Sequence, residues 1–311
     1  MSKLSLALEE YLRVRRALGY KLVAQGRLLQ QFVEFADRAG AKFITTETAL
    51  KWAMEPIQVQ PYWHTRRLGI VRQFARHCSA IDPRTVVPPP DLLPCRYRRP
   101  NPYIYRDHQI TQLLRAARRL PSRTGLRSQT YTTLLGLYVV TGMRCKEALQ
   151  LDRDDVDLIN GVLTVRGAKF GKSRYVPLHP TTKRALQRYA VNRDRVYPTP
   201  GCPAFFLSER GARLGQSAVE GTFVKLLCQI GLRRSGDSRG PRINDFRHCF
   251  AVTTLLRWYR QGTDVEQHLP ELSTYLGHAR VIDTYWYLTS TPALLRHAMQ
   301  RVEQPSRRPR S

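Results

Sequence analysis

VDLINGVLTVRG, residues 156–167, is where the hydrophobic spacing of the chain changes period. Apolar residues here crowd on either side of an Asn160-Gly161 pair, and such a pair between apolar runs is a strong short-range hairpin signal. Arg174 to Leu178 reads as a third strand that ends at a second turn. Three short strands inside an otherwise helical chain predict a mainly α fold with a small antiparallel β-sheet, an α+β class.

Working outward, both flanks carry helical spacing. Before the hairpin, an amphipathic helix starts near Asp107 with Ile110, Leu113, Leu114 and Ala117, and an apolar one runs from Ser128 to about Val140. After it, helices resume at Thr181 and continue through one strand-like stretch, Ala204 to Leu207, to a last helix over Pro292–Val302. Further upstream, Leu4, Leu8, Tyr11, Leu12 and Leu18 recur at helical spacing up to Gly19. Leu28, Leu29, Phe32, Val33 and Ala36 mark a second helix that stops at Gly40. A short third follows Thr46 and ends before Pro56, and a fourth runs from about Tyr62 with Leu68, Val71, Phe74, Ala75 and Cys78 on one side.

Between these flanks lies a proline-rich stretch, residues 82–105, which cannot continue a helix because proline lacks the amide and clashes backward. Pro88 to Pro90 favour extended backbone, and Arg96, Arg98 and Arg99 make the segment basic. Such a linker can follow a phosphate backbone or simply be solvated. The predicted organisation is a helical domain over 1–87, a linker over 88–105, a second domain over 106–302 and a basic tail over 303–311.

Charge narrows the partner. Lys and Arg number 51 against 24 Asp and Glu, a formal +27 on 311 residues. Self-repulsion at that level costs stability unless a polyanion relieves it, and nucleic acid releases counterions when its phosphates are contacted. A membrane partner is not expected, since no run of ~20 apolar residues exists and Glu9 and Glu10 interrupt any signal-peptide core. The six cysteines are scattered with no C-x-x-C pair, so reduced thiols in the cytoplasm are expected and no metal site is.

Four polar signals follow in order. TGMRCKEAL places Arg144 after a Thr-Gly break with Glu147 three residues on, the spacing of one helix face. GAKFGKSRYVPL puts Lys169 and Lys172 in or near the turn between two strands. RINDFRHCFAVTTLL gathers Asn244, Arg247 and His248, and STYLGHARVIDTYWYL carries His278, Tyr285, Trp286 and Tyr287. Each is unremarkable alone. Loop lysines are usually solvated, and helix aromatics usually belong to a core.

Their order and spacing resemble the tyrosine recombinase, or phage integrase, family of DNA breaking-rejoining enzymes. That family runs from an Arg after T-G to a hairpin Lys, then H-x-L-R-H, L-G-H and a Tyr nine residues beyond the last His. The resemblance covers residues from about 107 to 300, and the phrase YLGHARVIDTYWYLTSTP looks like transposon-borne recombinases. It implies a candidate catalytic set of Arg144, Lys169, Asn244, Arg247, His278 and Tyr287, with Glu147 orienting them and Lys172 the second choice for the lysine. It also implies a SAM-like core-binding domain at the N-terminus, double-stranded DNA with specific recombination sites as partner, and a homotetramer on two sites, with the involvement of sister recombinases left open. No cofactor is implied. Asn244 departs from the pattern, standing where the family most often has His; an amide donates a hydrogen bond to phosphate but cannot accept a proton as imidazole does. His248, four residues on, is a candidate substitute.

The set suits phosphodiester cleavage. Two arginines can hold the non-bridging oxygens with bidentate charge-assisted bonds, a geometry a lysine cannot match. A tyrosine phosphoester conserves the bond energy, so ATP is not required. Tyr285 is the competing nucleophile, but two residues turn a helix by roughly 200°, so one of the pair faces away. A recombinase-derived DNA binder that no longer cuts, and a type IB topoisomerase acting on one duplex, are the alternative readings.

Overall fold

Ser2 and Thr45 open two N-terminal helices in the same way. Each hydroxyl accepts a backbone N–H three residues on, from Ser5 at 3.0 Å and Thr48 at 3.1 Å, a cap worth about 1 kcal/mol. The computed structural model describes residues 2–93, 101–167, 173–237, 239–289, 294–296 and 299. The chain divides into two compact units, residues 1–100 and 101–311.

The first unit is built from α1 (Lys3–Ala17), α2 (Val23–Arg38), α3 (Thr46–Met54) and α4 (Pro61–Ser79). Their apolar stripes meet in a core of Leu8, Leu29, Phe32, Trp52, Val71 and Phe74. Phe32 meets Trp52 edge-on at 5.4 Å, and the buried Arg67 lies 3.7 Å over the same indole while donating to the Trp52 carbonyl at 2.6 Å. The expected linker begins packed on this unit. Arg72 donates to the carbonyls of Pro88 and Pro89, both at 2.8 Å, and Thr65 donates to that of Leu93 at 3.3 Å. Arg96, Arg98 and Arg99 lie outside the described residues.

The second unit takes in the far end of the linker. Tyr105 stacks on Phe246, ring centroids 4.6 Å apart, and its backbone N–H donates to Cys249 Sγ. Helices α5 (Asp107–Arg118), α6 (Leu126–Thr141) and α7 (Cys145–Leu149) lead into strands β1 (Val156–Asp157), β2 (Val162–Val165) and β3 (Arg174–Pro177). Helices α8 (Pro180–Val196), α9 (Gln216–Gln229), α10 (Asp245–Arg260), α11 (Val265–Leu276) and α12 (Ile282–Tyr285) follow, the last running into a 3-10 turn over Trp286–Thr289. The α6 residues Leu134, Leu135 and Tyr138 form the centre of one core with Leu163, Val176, Leu186 and Tyr189. A second core joins Val252, Leu255, Leu269, Leu272 and Leu276 to Tyr287. The chain is therefore mainly helical with one small antiparallel sheet of order β1-β2-β3.

Local details depart from the sequence reading. The first hairpin is not a two-residue Asn-Gly turn: pairing ends at Asp157↔Val162, leaving a four-residue loop. The Asp157 carboxylate accepts the N–H groups of Ile159 and Asn160 and caps the loop from inside, while Gly161 takes φ +72°. Ala204 and Leu207 form only isolated antiparallel bridges, to Asp152 and Arg213, the second closed by a tight reversal in which the Ser208 N–H donates to the Ala212 carbonyl at 2.8 Å. Of the expected last helix, Leu294–Arg296 and Met299 fall among the described residues and are helical; the basic tail lies outside them. No helix among the described residues is long and apolar enough to cross a membrane.

Candidate active site

The site begins where α6 ends. Gly142 closes the helix at φ +61°, and a Cβ there would stand 3.0 Å from the Phe250 ring, so the turn needs glycine twice over. The chain then reverses and Arg144 sits immediately before α7. Its backbone N–H donates to Glu147 Oε2 at 2.9 Å and its Nη1 to Glu147 Oε1 at 2.8 Å. Glu147 thus caps its own helix and orients the arginine, as the three-residue spacing implied.

Helix α11 ends at Gly277, φ +67°, with the His278 N–H bonded back to the Ser273 carbonyl at 3.0 Å. This termination exposes two consecutive carbonyls, each of which accepts from one arginine. Arg247 Nη2 donates to Leu276 O at 2.5 Å, and Arg144 Nη2 to Gly277 O at 3.2 Å. A second bond from Arg247, Nη1 to Gly142 O at 3.1 Å, ties α10 to the end of α6. The partial negative charge of a helix C-terminus therefore holds two like-charged guanidiniums side by side. Burial, and then the neighbouring Arg144, bring the Arg247 guanidinium down to about 10.

His278 and Tyr287 complete the cluster. His278 Nδ1 is 2.7 Å from Thr284 Oγ1, and the imidazole lies nearly parallel to the Tyr287 ring with centroids 6.0 Å apart. His248 meets Tyr287 at 5.4 Å and Trp286 at 5.2 Å. Tyr287 is 2 % exposed and Tyr285 46 %, so the two face opposite ways, as the rotation argument required. Of the residues singled out from sequence, Arg144, Glu147, Arg247, His278 and Tyr287 come together. Asn244 lies exposed at the start of α10, where its side chain makes no capping bond. Lys169 and Lys172 lie outside the described residues, in the connection whose base is the Val165↔Arg174 pair.

One residue of the cluster escaped the sequence reading. Arg174, on β3, donates from Nη1 to Glu147 Oε1 at 3.1 Å, from Nη2 to Oε2 at 2.8 Å and from Nε to the Tyr275 carbonyl at 2.8 Å. Burial pushes the Glu147 carboxyl up, but Arg174 and Arg144 outweigh it and hold the group at about 2. The available signal was strand alternation. Arg174 shares the inward face of β3 with buried Val176, an unusual place for a charge.

Among the described residues, no group of three or more His, Cys, Asp or Glu is placed to hold a metal ion. The arrangement offers a paired-guanidinium anion site beside an imidazole and a phenol.

Comparison with known proteins places this geometry. The phage integrase family model matches residues 104–293. A protein of Sinorhizobium fredii named as an integrase/recombinase, y4rB, is 46% identical over 98% of this chain and 98% of its own length. The tyrosine recombinase XerC of Chlamydia caviae is 29% identical, covering 71% of this chain and 65% of its own. Among solved structures, the Tn1549 transposon integrase in complex with transposon right end DNA superposes with a TM-score of 0.71 at 16% identity, over 98% of this chain and 99% of that one.

Proposed function

The chain belongs to the phage integrase family of tyrosine recombinases, and from that premise we propose that it cuts and rejoins DNA at specific sites through a 3′-phosphotyrosine on Tyr287. The observation that carries this reading is the pair of arginines on the consecutive carbonyls Leu276 O and Gly277 O, next to the His278–Tyr287 stack. Arg144 and Arg247 bind the non-bridging oxygens and stabilise the charge that grows on them. Tyr287 Oη forms the new P–O bond as its proton passes to water, and the neighbouring cations favour the phenolate. The 5′-oxygen leaves and is protonated by Lys169, the proposed general acid. His278 donates to a non-bridging oxygen, and Glu147 orients the shell. Attack by a 5′-hydroxyl of a second duplex reverses the chemistry and recombines the strands. No ATP enters the balance.

The likeness to y4rB and to the Tn1549 integrase supports a role in moving a transposon, phage or other mobile element. The partner on this reading is duplex DNA, the working assembly a homotetramer on two sites, and the compartment the cytoplasm. Asn244 favours a second reading, a DNA binder that no longer cuts, because an exposed amide replaces the usual imidazole.

The test is sequencing of junctions at the native locus in cells carrying either the wild-type chain or Tyr287→Phe. Rejoined junctions with wild type alone support recombination. Their absence in both favours the binder.

A further inference from the structure

Arg174 has no place in the family motif, yet it has the most fully engaged guanidinium of the cluster. Its three hydrogen bonds reach two different parts of the site: the Glu147 carboxylate, gripped by a two-pronged fork, and the Tyr275 carbonyl, three residues before His278. The side chain is 10% exposed against 30% for Arg144, and each of its three nitrogens already donates within the protein. It also packs against the turn that presents the two carbonyls. A Cβ at Gly277 would stand 2.7 Å from Arg174 Nη1, so only glycine leaves the guanidinium room. Finally, Arg174 is the first paired residue of β3, at the root of the connection that carries Lys169.

We propose that Arg174 is a positioning residue for strand cleavage, one that fixes the Glu147 carboxylate so that Arg144 is held toward the scissile phosphate. This rests on the assignment of Arg144 and Tyr287 made above. Without Arg174, Glu147 would keep only its bonds from the Arg144 backbone N–H and Nη1, and a carboxylate so loosened would carry Arg144 with it. Charge supports the same division of labour. Arg144, Arg174 and Arg247 against Glu147 give three positive charges and one negative, a net +2. A phosphodiester brings one negative charge and develops a second on cleavage, so the cluster matches the transition state better than the ground state. Among the described residues, Arg144 from the start of α7, Arg174 from β3 and Arg247 from α10 are the charged groups facing Glu147.

A purely structural ion pair would lower stability and leave the chemistry of the folded fraction intact. The experiment that separates the two uses the purified full chain and restriction fragments of its native locus, scoring covalent protein–DNA adducts under denaturing conditions. Arg174→Gln is expected to slow adduct formation about 100-fold, with DNA affinity changed less than about threefold. Arg174→Lys should recover less than about a tenth of the lost rate, since an ammonium cannot span both carboxylate oxygens and the carbonyl. In a Glu147→Gln background, Arg174→Gln should change the rate by less than about threefold, because the two residues act through one contact. The ratio of Arg174→Gln to wild-type rate should also fall as pH drops from 7.5 toward 4.5, because the carboxyl loses the larger of the two partners that hold it at about 2. Additive losses in the double variant, a wild-type rate for Arg174→Lys, or a pH-independent ratio would each overturn the proposal. If Arg174→Gln does not fold, the comparison of Arg174→Lys with and without Glu147→Gln decides in the same way. No adduct with the wild-type chain would instead remove the Tyr287 assignment, and the role of Arg174 with it.

Discussion

The imidazole of His278 lies almost parallel to the phenol of Tyr287, planes 16° apart and ring centroids separated by 6.0 Å. Thr284, fully buried, holds the imidazole from the side through the 2.7 Å contact with Nδ1. One α12 residue therefore sets the ring that lines the nucleophile, and its loss should be felt in the chemistry.

Thr284→Val keeps the shape and deletes the hydroxyl. Adduct formation on native-locus DNA is expected to fall roughly tenfold to a hundredfold, with Thr284→Ser near wild type. Equal rates for Val and Ser would show that the hydroxyl does not orient His278.

On the proposed mechanism, Arg144→Ala and Arg247→Ala each remove a donor to the developing charge, worth about 3–4 kcal/mol or more in the barrier. Strand cleavage should drop by at least about 100-fold, while gel-shift affinity for the same DNA changes little, because a chain of net charge +27 has many other cations to meet phosphates. Arg247→Ala should also cost stability, since its bonds to Gly142 O and Leu276 O join α10 to the ends of α6 and α11. Normal cleavage by either variant would remove the paired-guanidinium assignment.

Gly277→Ala faces two penalties, a left-handed φ of +67° and a Cβ 2.7 Å from Arg174. Urea unfolding should show a loss of about 1–3 kcal/mol, with cleavage falling further than stability alone explains. Gly40→Ala has a comparable φ of +70° and nothing within 4 Å, so it isolates the backbone penalty as a control.

Glu147 makes a prediction about acid. Its folded carboxyl lies at about 2, below the ordinary 4.5, so its stabilisation is complete above about 4.5 and is lost as pH falls toward 2. The shift corresponds to a contribution on the order of 3 kcal/mol at neutral pH. Urea unfolding of wild type and Glu147→Gln should show a constant gap from pH 8 to about 5, narrowing below that. A gap that closes between pH 8 and 6 would contradict the assignment.

Much of the architecture could be read from spacing. The helical stripes of Leu8, Phe32 and Phe74, and of Leu113 and Ala117, are residues that meet in the core of the first unit and in one core of the second, because burial of one helix face leaves a period in the sequence. The motif order brought Arg144, Glu147, Arg247, His278 and Tyr287 onto one site. What stayed hidden depended on tertiary pairing or on competing local bonds. Arg174 meets Glu147 across 27 residues and Tyr275 across 101, and one arginine among 51 basic residues does not stand out. The short β1 and the four-residue loop follow from the Asp157 carboxylate bonding its own backbone, a contact that outcompeted the Asn-Gly turn.

The central claim is that Tyr287, and not the exposed Tyr285, becomes joined to DNA. Covalent protein–DNA complexes captured under denaturing conditions, from cells carrying the native locus, test it directly when wild type is compared with Tyr287→Phe and Tyr285→Phe and the trapped DNA is sequenced. Adducts at defined sites with wild type and Tyr285→Phe, and none with Tyr287→Phe, are the predicted result. Adducts that persist in Tyr287→Phe, or that vanish in Tyr285→Phe, would contradict the assignment.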